Sequence, residues 1–183
     1  VGSGITLSPD GDGFFTGIVT ATSFKGDGSN LTGIDSGLSS DSDGNTIGGT
    51  NAGDSITTGE YNTVIGKDAG TAITGGEKNT AVGALALDAN TTSSSNTAVG
   101  YSALGANTTG ADNVAMGRDT LGDNTTGASN TALGKSALGS NTTASNNTAV
   151  GKSALAANTT GTSNTAVGAA ALDANTTSNN NTA

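Results

Sequence analysis

Six asparagines, Asn90, Asn107, Asn124, Asn141, Asn158 and Asn175, each stand directly before a pair of threonines. Asn-Thr-Thr is an acceptor pattern for N-linked sugar, which uses the Asn carboxamide and a hydroxyl two residues on. Six such sites in one phase would place a line of sugars along one edge. Stacked on one another, the same carboxamides would instead form a hydrogen-bonded ladder. In the two earlier copies of the pattern the position holds Ile56 and Ile73. A site that accepts isoleucine points inward, which favours the ladder; a loop that changes direction would restore the sugars. Asn30, in Asn-Leu-Thr, is an isolated match.

Other chemistry finds little to stand on. There is no His and no Cys, so imidazole bases, thiolate nucleophiles and thiolate metal sites are all missing. No Ser lies in a nucleophile motif, no carboxylate pair is embedded in apolar sequence, and no Gly-rich stretch leads into the Lys-Ser/Thr of a phosphate loop. Asp10–Gly13 (DGDG) and Asp41–Asn45 (DSDGN) have the look of calcium loops. Counting from Asp41, the positions that need Gly and an acid are Thr46 and Ala52, so the match fails and acidic turns remain. Lys67, Arg118, Lys135 and Lys152, followed by Asp68, Asp119 or Ser, read as a solvated face, with a carbohydrate-binding stripe as the alternative. The expectation is a non-enzymatic chain with no cofactor and no metal.

The composition is unusual for 183 residues. Gly supplies 30, and Leu, Ile, Val and Phe together only 29. So little bulk apolar sequence usually marks disorder when net charge is also high. Here the net charge is −9, too dilute to drive the chain apart. The acidic balance and the lack of a basic cluster argue against a nucleic-acid surface, and no apolar run is long enough for a membrane-spanning helix. The chain opens at Val1 without an initiator Met and ends at Ala183 within a repeat, which reads as a segment of a longer protein.

Register decides between disorder and structure. Asn recurs at Asn45, Asn62, Asn79, Asn96, Asn113, Asn130, Asn147, Asn164 and Asn181, always 17 residues apart. Disorder gives no reason to keep such a period. Four residues after each of the first eight stands Gly: Gly49, Gly66, Gly83, Gly100, Gly117, Gly134, Gly151 and Gly168. A fixed Gly marks a positive φ or a close backbone approach. The two positions before it are apolar in nearly every copy, as in Ala98-Val99, and a second apolar pair follows, as in Ala103-Leu104.

Adjacent apolar pairs do not suit a helix, whose buried face needs i, i+3, i+4 spacing. Two or three short strands per repeat, stacked in parallel, predict an all-β parallel β-solenoid of eight coils over 45–183, roughly 38 Å long at ~4.8 Å per coil. Residues 1–44 form a separate β-rich cap or connector, with Phe14, Phe15 and Phe24 covering the open end. In a strand, neighbours point to opposite faces. Ala98-Val99 and Ala103-Leu104 would then both need a cover outside the coil. Ordering 17 backbone residues costs about 17–34 kcal/mol, and one Val and one Leu return about 1.5–3 kcal/mol each. The expectation is a core shared between copies of the chain.

Two stretches resemble known families. Residues 16–34, TGIVTATSFKGDGSNLTGI, resemble a segment common in tail-fibre and other virion structural proteins of bacteriophages, those of cyanobacteria especially. The repeated NTAVGxxAL is similar to the head repeats of trimeric autotransporter adhesins, although the present repeat is longer around ANTTG. The resemblance implies a homotrimeric, left-handed parallel β-roll on a virion or in the extracellular space. It also implies a role in host attachment, with host-surface glycans or a receptor as partners. A cellular filament or adhesin, glycosylated on the Asn-Thr-Thr line, is the alternative.

Overall fold

The computed structural model describes residues 38–183. Expectations for Phe14, Phe15, Phe24, Asp10–Gly13, Asn30 and the 16–34 stretch lie outside the described residues. The described chain is all-β. Its strands are β1 (Ser39–Ser40), β2 (Thr46–Gly48), β3 (Thr63–Ile65), β4 (Thr80–Val82), β5 (Thr97–Val99), β6 (Val114–Met116), β7 (Thr131–Leu133), β8 (Thr148–Val150) and β9 (Thr165–Val167). They form one sheet in sequence order. From β2 to β9 every pair is parallel and displaced by one repeat, so Ala98 lies beside Ala81 and Ala115. This is a β-solenoid with one 17-residue coil per turn. Only β1 runs the other way, antiparallel to β2.

Each coil contains one three-residue strand, not two or three. The rest of the coil turns, because backbone angles forbid extension. In the coil from Asn96 to Asp112, Gly100 has φ 133°, Ser102 50°, Leu104 51° and Asp112 59°. The same four positions are left-handed in nearly every coil. A left-handed conformation costs an L-residue about 1–2 kcal/mol, so the stack must hold it in place. Backbone bonds to both neighbouring coils do so: Ser102 N–H donates to Ala84 O at 3.0 Å, and Leu104 N–H to Thr120 O at 3.0 Å.

The left-handed Leu overturns one expectation. Ala103 and Leu104 do not face opposite ways; both are fully buried inside the same coil. Alternation holds only within extended backbone, and φ 51° at Leu104 swings its side chain back inward. The core is therefore complete within one chain: a column of Ala81, Ala98, Ala115, Ala132, Ala149 and Ala166 meets a column of Leu87, Leu104, Leu121, Leu138 and Leu155. Burial of the Leu column offsets the strain of its backbone, at about 1.5–3 kcal/mol per side chain.

The first two coils fill the same space differently. Where later coils have Leu they have Gly53 and Gly70, and where later coils have Asn they have Ile56 and Ile73. A Cβ built on Gly70 would lie 2.8 Å from Ile73 Cδ1 and 3.1 Å from Val64 Cγ1. Ile73, fully buried, thus occupies the volume that Leu takes further along. Gly53 and Gly70 keep the left-handed φ of the Leu column, 59° and 53°.

Candidate functional site: two buried amide columns and three outer faces

The asparagines at the start of the coils, Asn45 through Asn164, are all buried, and Asn181 is half-buried. From Asn62 onward each links to the coil before it. The N–H of Asn113 donates to Asn96 Oδ1 at 3.1 Å, and its Nδ2 donates to the same oxygen at 3.2 Å. The Asn-Thr-Thr asparagines form a second column. Asn124 Nδ2 donates to Asn107 Oδ1 at 2.9 Å, Asn141 Nδ2 to Asn124 Oδ1 at 2.8 Å, and Asn175 Nδ2 to Asn158 Oδ1 at 3.0 Å.

The columns meet at one carbonyl. Gly127 O accepts from Asn113 Nδ2 and Asn124 Nδ2, both at 2.9 Å. Gly161 O does the same for Asn147 and Asn158. Where Ser93 takes this place, its hydroxyl donates to Asn90 Oδ1 and accepts from Asn96 Nδ2 at 3.0 Å and Asn107 Nδ2 at 3.1 Å. Among the described residues every buried side-chain nitrogen and oxygen has a partner. Asn90, Asn107, Asn124, Asn141 and Asn158 are fully buried with Nδ2 engaged, and Asn175 is half-buried at the last coil. A sugar on those nitrogens would have to displace the column, so this geometry fits the ladder. Amides carry no titrating proton at ordinary pH, and their arrangement suits positioning, not proton transfer.

The Gly that ends each strand has two reasons to be Gly. Its φ runs from 114° to 139° across Gly49, Gly66, Gly83, Gly100, Gly117, Gly134, Gly151 and Gly168. A Cβ on Gly117 would also meet Gly134 C and Thr120 Oγ1, each at 2.8 Å. The Asn-Thr-Thr threonines lie outside. Thr108 Oγ1 donates to Thr125 O at 3.0 Å and Thr125 Oγ1 to Thr142 O at 3.0 Å, and Thr142 and Thr159 brace the next coil in the same way.

Three outer faces remain. The outward side of the sheet carries Thr and, two residues on, Ile65, Val82, Val99, Met116, Leu133, Val150 and Val167. These are half-buried or exposed, with Met116 at 45% and Val167 at 61%. No coil places a charge on this face. A second face carries ion pairs: Lys67 lies 3.3 Å from Asp68 and Arg118 3.4 Å from Asp119. In both pairs the cation is exposed and the partner is its neighbour in sequence, so they contribute little stability. Hydrogen bonding by Asn51 holds the Asp68 carboxyl below its usual range.

The third face is a trough of about 610 Å³ along the rod. Gly105, Gly122 and Gly139 line it together with Ser102, Asp119 and Ser136. These three glycines have no left-handed φ, and a Cβ on each would meet nothing closer than 3.2 Å. Neighbouring coils carry Asp88 and Ala156 there. Burial pushes the Asp88 carboxyl up from its ordinary value. The trough was not evident in the sequence, where those positions look merely variable. Among the described residues, no group of three or more acidic residues could hold a metal ion.

Fold and columns together define a parallel β-solenoid whose interior polar groups are chiefly amides in register. No family model matches the chain, and comparison with curated proteins and with solved structures found no match.

Proposed function

We propose that the chain is a non-enzymatic structural rod on a virion surface or in the extracellular space, a fibre segment that supports attachment to a host. The observation that carries this reading is the unbroken register. Eight parallel strands stack in one register, with the first amide column running the length of the stack and an Ala–Leu core and second amide column filling the coils from Asn79 onward. Such stacking produces length and stiffness and leaves the ends and flanks for recognition. The tail-fibre and adhesin resemblance points the same way.

The rod self-associates as a homotrimer through the charge-free outer side of the sheet. A stripe from Ile65 to Val167 is apolar and half-buried or exposed, a surface that a neighbouring copy would bury further. The chain's net charge of −9 is kept off this stripe. The core does not require the trimer, since each coil closes on its own Ala and Leu. Trimerisation instead adds girth and bending stiffness.

A second reading, an adhesive filament that binds glycans on its flank, is supported by the trough. Its hydroxyls and carboxylates suit sugar hydroxyls, and its glycines open room the fold does not need. Native mass spectrometry of the intact assembly, paired with immunogold labelling of the source particles or cells, tests the main reading. Three chain masses without added sugar, and label along an outward-projecting shaft, are expected. A monomer, or label confined to the interior, would refute it. Saturable oligosaccharide binding lost in Gly122→Leu would move the reading to the adhesive filament.

A further inference from the structure

We propose that Asp41 is the terminator of the buried amide column and that, with strand β1, it seals this end of the rod against the docking of a further coil. Each interior column Asn works in two directions. Its N–H donates to the coil before it, joined by Nδ2 in every case but Asn79, and its Oδ1 accepts from the coil after it. Asn45, the first of the column, is fully buried and has both donors to satisfy. Asp41 receives them: Asn45 N–H donates to Oδ1 at 2.8 Å, and Asn45 Nδ2 to Oδ2 at 2.9 Å. Asp43 N–H adds a third bond to Oδ1 at 3.0 Å.

A carboxylate is an acceptor only, which is what the start of this column needs. An Asn placed there would bring an Nδ2 of its own to a point where the two donors of Asn45 already converge. The hydrogen bonds from Asn45 hold the Asp41 carboxyl below its usual range, as expected for an ionised acceptor with two donors. The sheet edge is closed at the same place. Ser39 and Ser40 pair antiparallel with Ile47 and Thr46, so two of the three residues of the β2 edge are already taken. Gly44, at φ 75°, makes the return between the two, and Tyr61 of the next coil packs against it. Open edges of parallel stacks recruit other chains, and this turn removes one of them. The rod is thereby polar.

Hydrogen exchange on the full chain, comparing wild type with Asp41→Ala and Asp41→Asn, tests the assignment. In Asp41→Ala the amides of Asn45 and Thr46 should exchange at least tenfold faster, while amides from Asn113 onward keep their wild-type rates. Asp41→Asn, which retains one oxygen, should fall between. Equal protection of Asn45 in all three proteins, or an equal loss in every coil, would overturn the assignment. Sedimentation velocity reads the seal: Asp41→Ala should lengthen end to end with rising concentration and wild type should not. A variant that stays at wild-type length would remove Asp41 from the seal.

Discussion

Asn124 Nδ2 donates to Asn107 Oδ1 one coil back, at 2.9 Å, while Gly127 O in its own coil takes the second hydrogen at the same distance. Both bonds need a donor at that atom. Asn124→Asp changes one group and turns the donor into a third acceptor among acceptors. At neutral pH the loss should be about 2–4 kcal/mol, the scale of a buried charge without a partner. The new carboxyl has its folded pKa raised above its unfolded one. Its best-tolerated form is therefore the protonated one, present below the unfolded pKa, and the deficit grows as pH rises. Urea unfolding at pH 4 and pH 7 should show the variant closest to wild type at the lower pH.

Gly117→Ala meets two obstacles together: φ 134° and a Cβ 2.8 Å from the next coil's backbone. A loss of at least about 3 kcal/mol is expected. Thr120→Ala serves as the contrast. The Thr120 hydroxyl donates to Gly134 O at 2.7 Å, but the other coils hold Ala at that place and Gly134 O also accepts from Ala137 N–H. Its cost should be about 1 kcal/mol or less. Paired thermal melts separate the two.

The exchange of Leu and Asn for Gly70 and Ile73 predicts coupling. Gly70→Leu alone overpacks Ile73 and should cost about 1–3 kcal/mol. Adding Ile73→Asn recreates the interior of the later coils and extends the second column back toward Asn90. The double variant should therefore be more stable than the sum of its parts, which a double-mutant cycle measures directly. Strict additivity would separate the two positions.

Asp88 is raised chiefly by burial at the end of the trough. A carboxyl with a raised folded pKa contributes stability that is present below its unfolded value and is lost as pH rises through the folded value. Asp88→Asn should therefore raise the melting temperature at pH 7 and leave it unchanged near pH 3. A gain that does not vary with pH would assign the effect to packing.

Much of the architecture was legible from Asn96, Gly100 and the apolar pair between them. A fixed period predicted stacking, and the strand around Ala98 alternates as expected. The number of strands per coil was not legible, because nothing marks Ser102, Leu104 and Asp112 as left-handed. Such angles are rare for these residues and are imposed here by the coils above and below. For the same reason Leu104 looked like an outward residue needing a partner chain. Ile56 and Ile73 pointed to the inside of the second column, but the reciprocal change at Gly53 and Gly70 becomes meaningful only when the volumes are seen to coincide. Asp41 looked like part of a failed calcium loop; its role depends on a neighbour, Asn45, whose burial the sequence did not reveal.

The central claim is that the coil of 17 residues is the indivisible unit of this rod. Its most direct test is a pair of deletions read by thermal melting. Removing residues 96–112 takes out one whole coil and joins Ser95 to Asn113 in register. That protein should melt cooperatively within a few degrees of wild type. Removing residues 96–111 shifts every later core position by one residue and should abolish the cooperative transition beyond the junction. If both deletions melt alike, the coil is not the unit and the account fails.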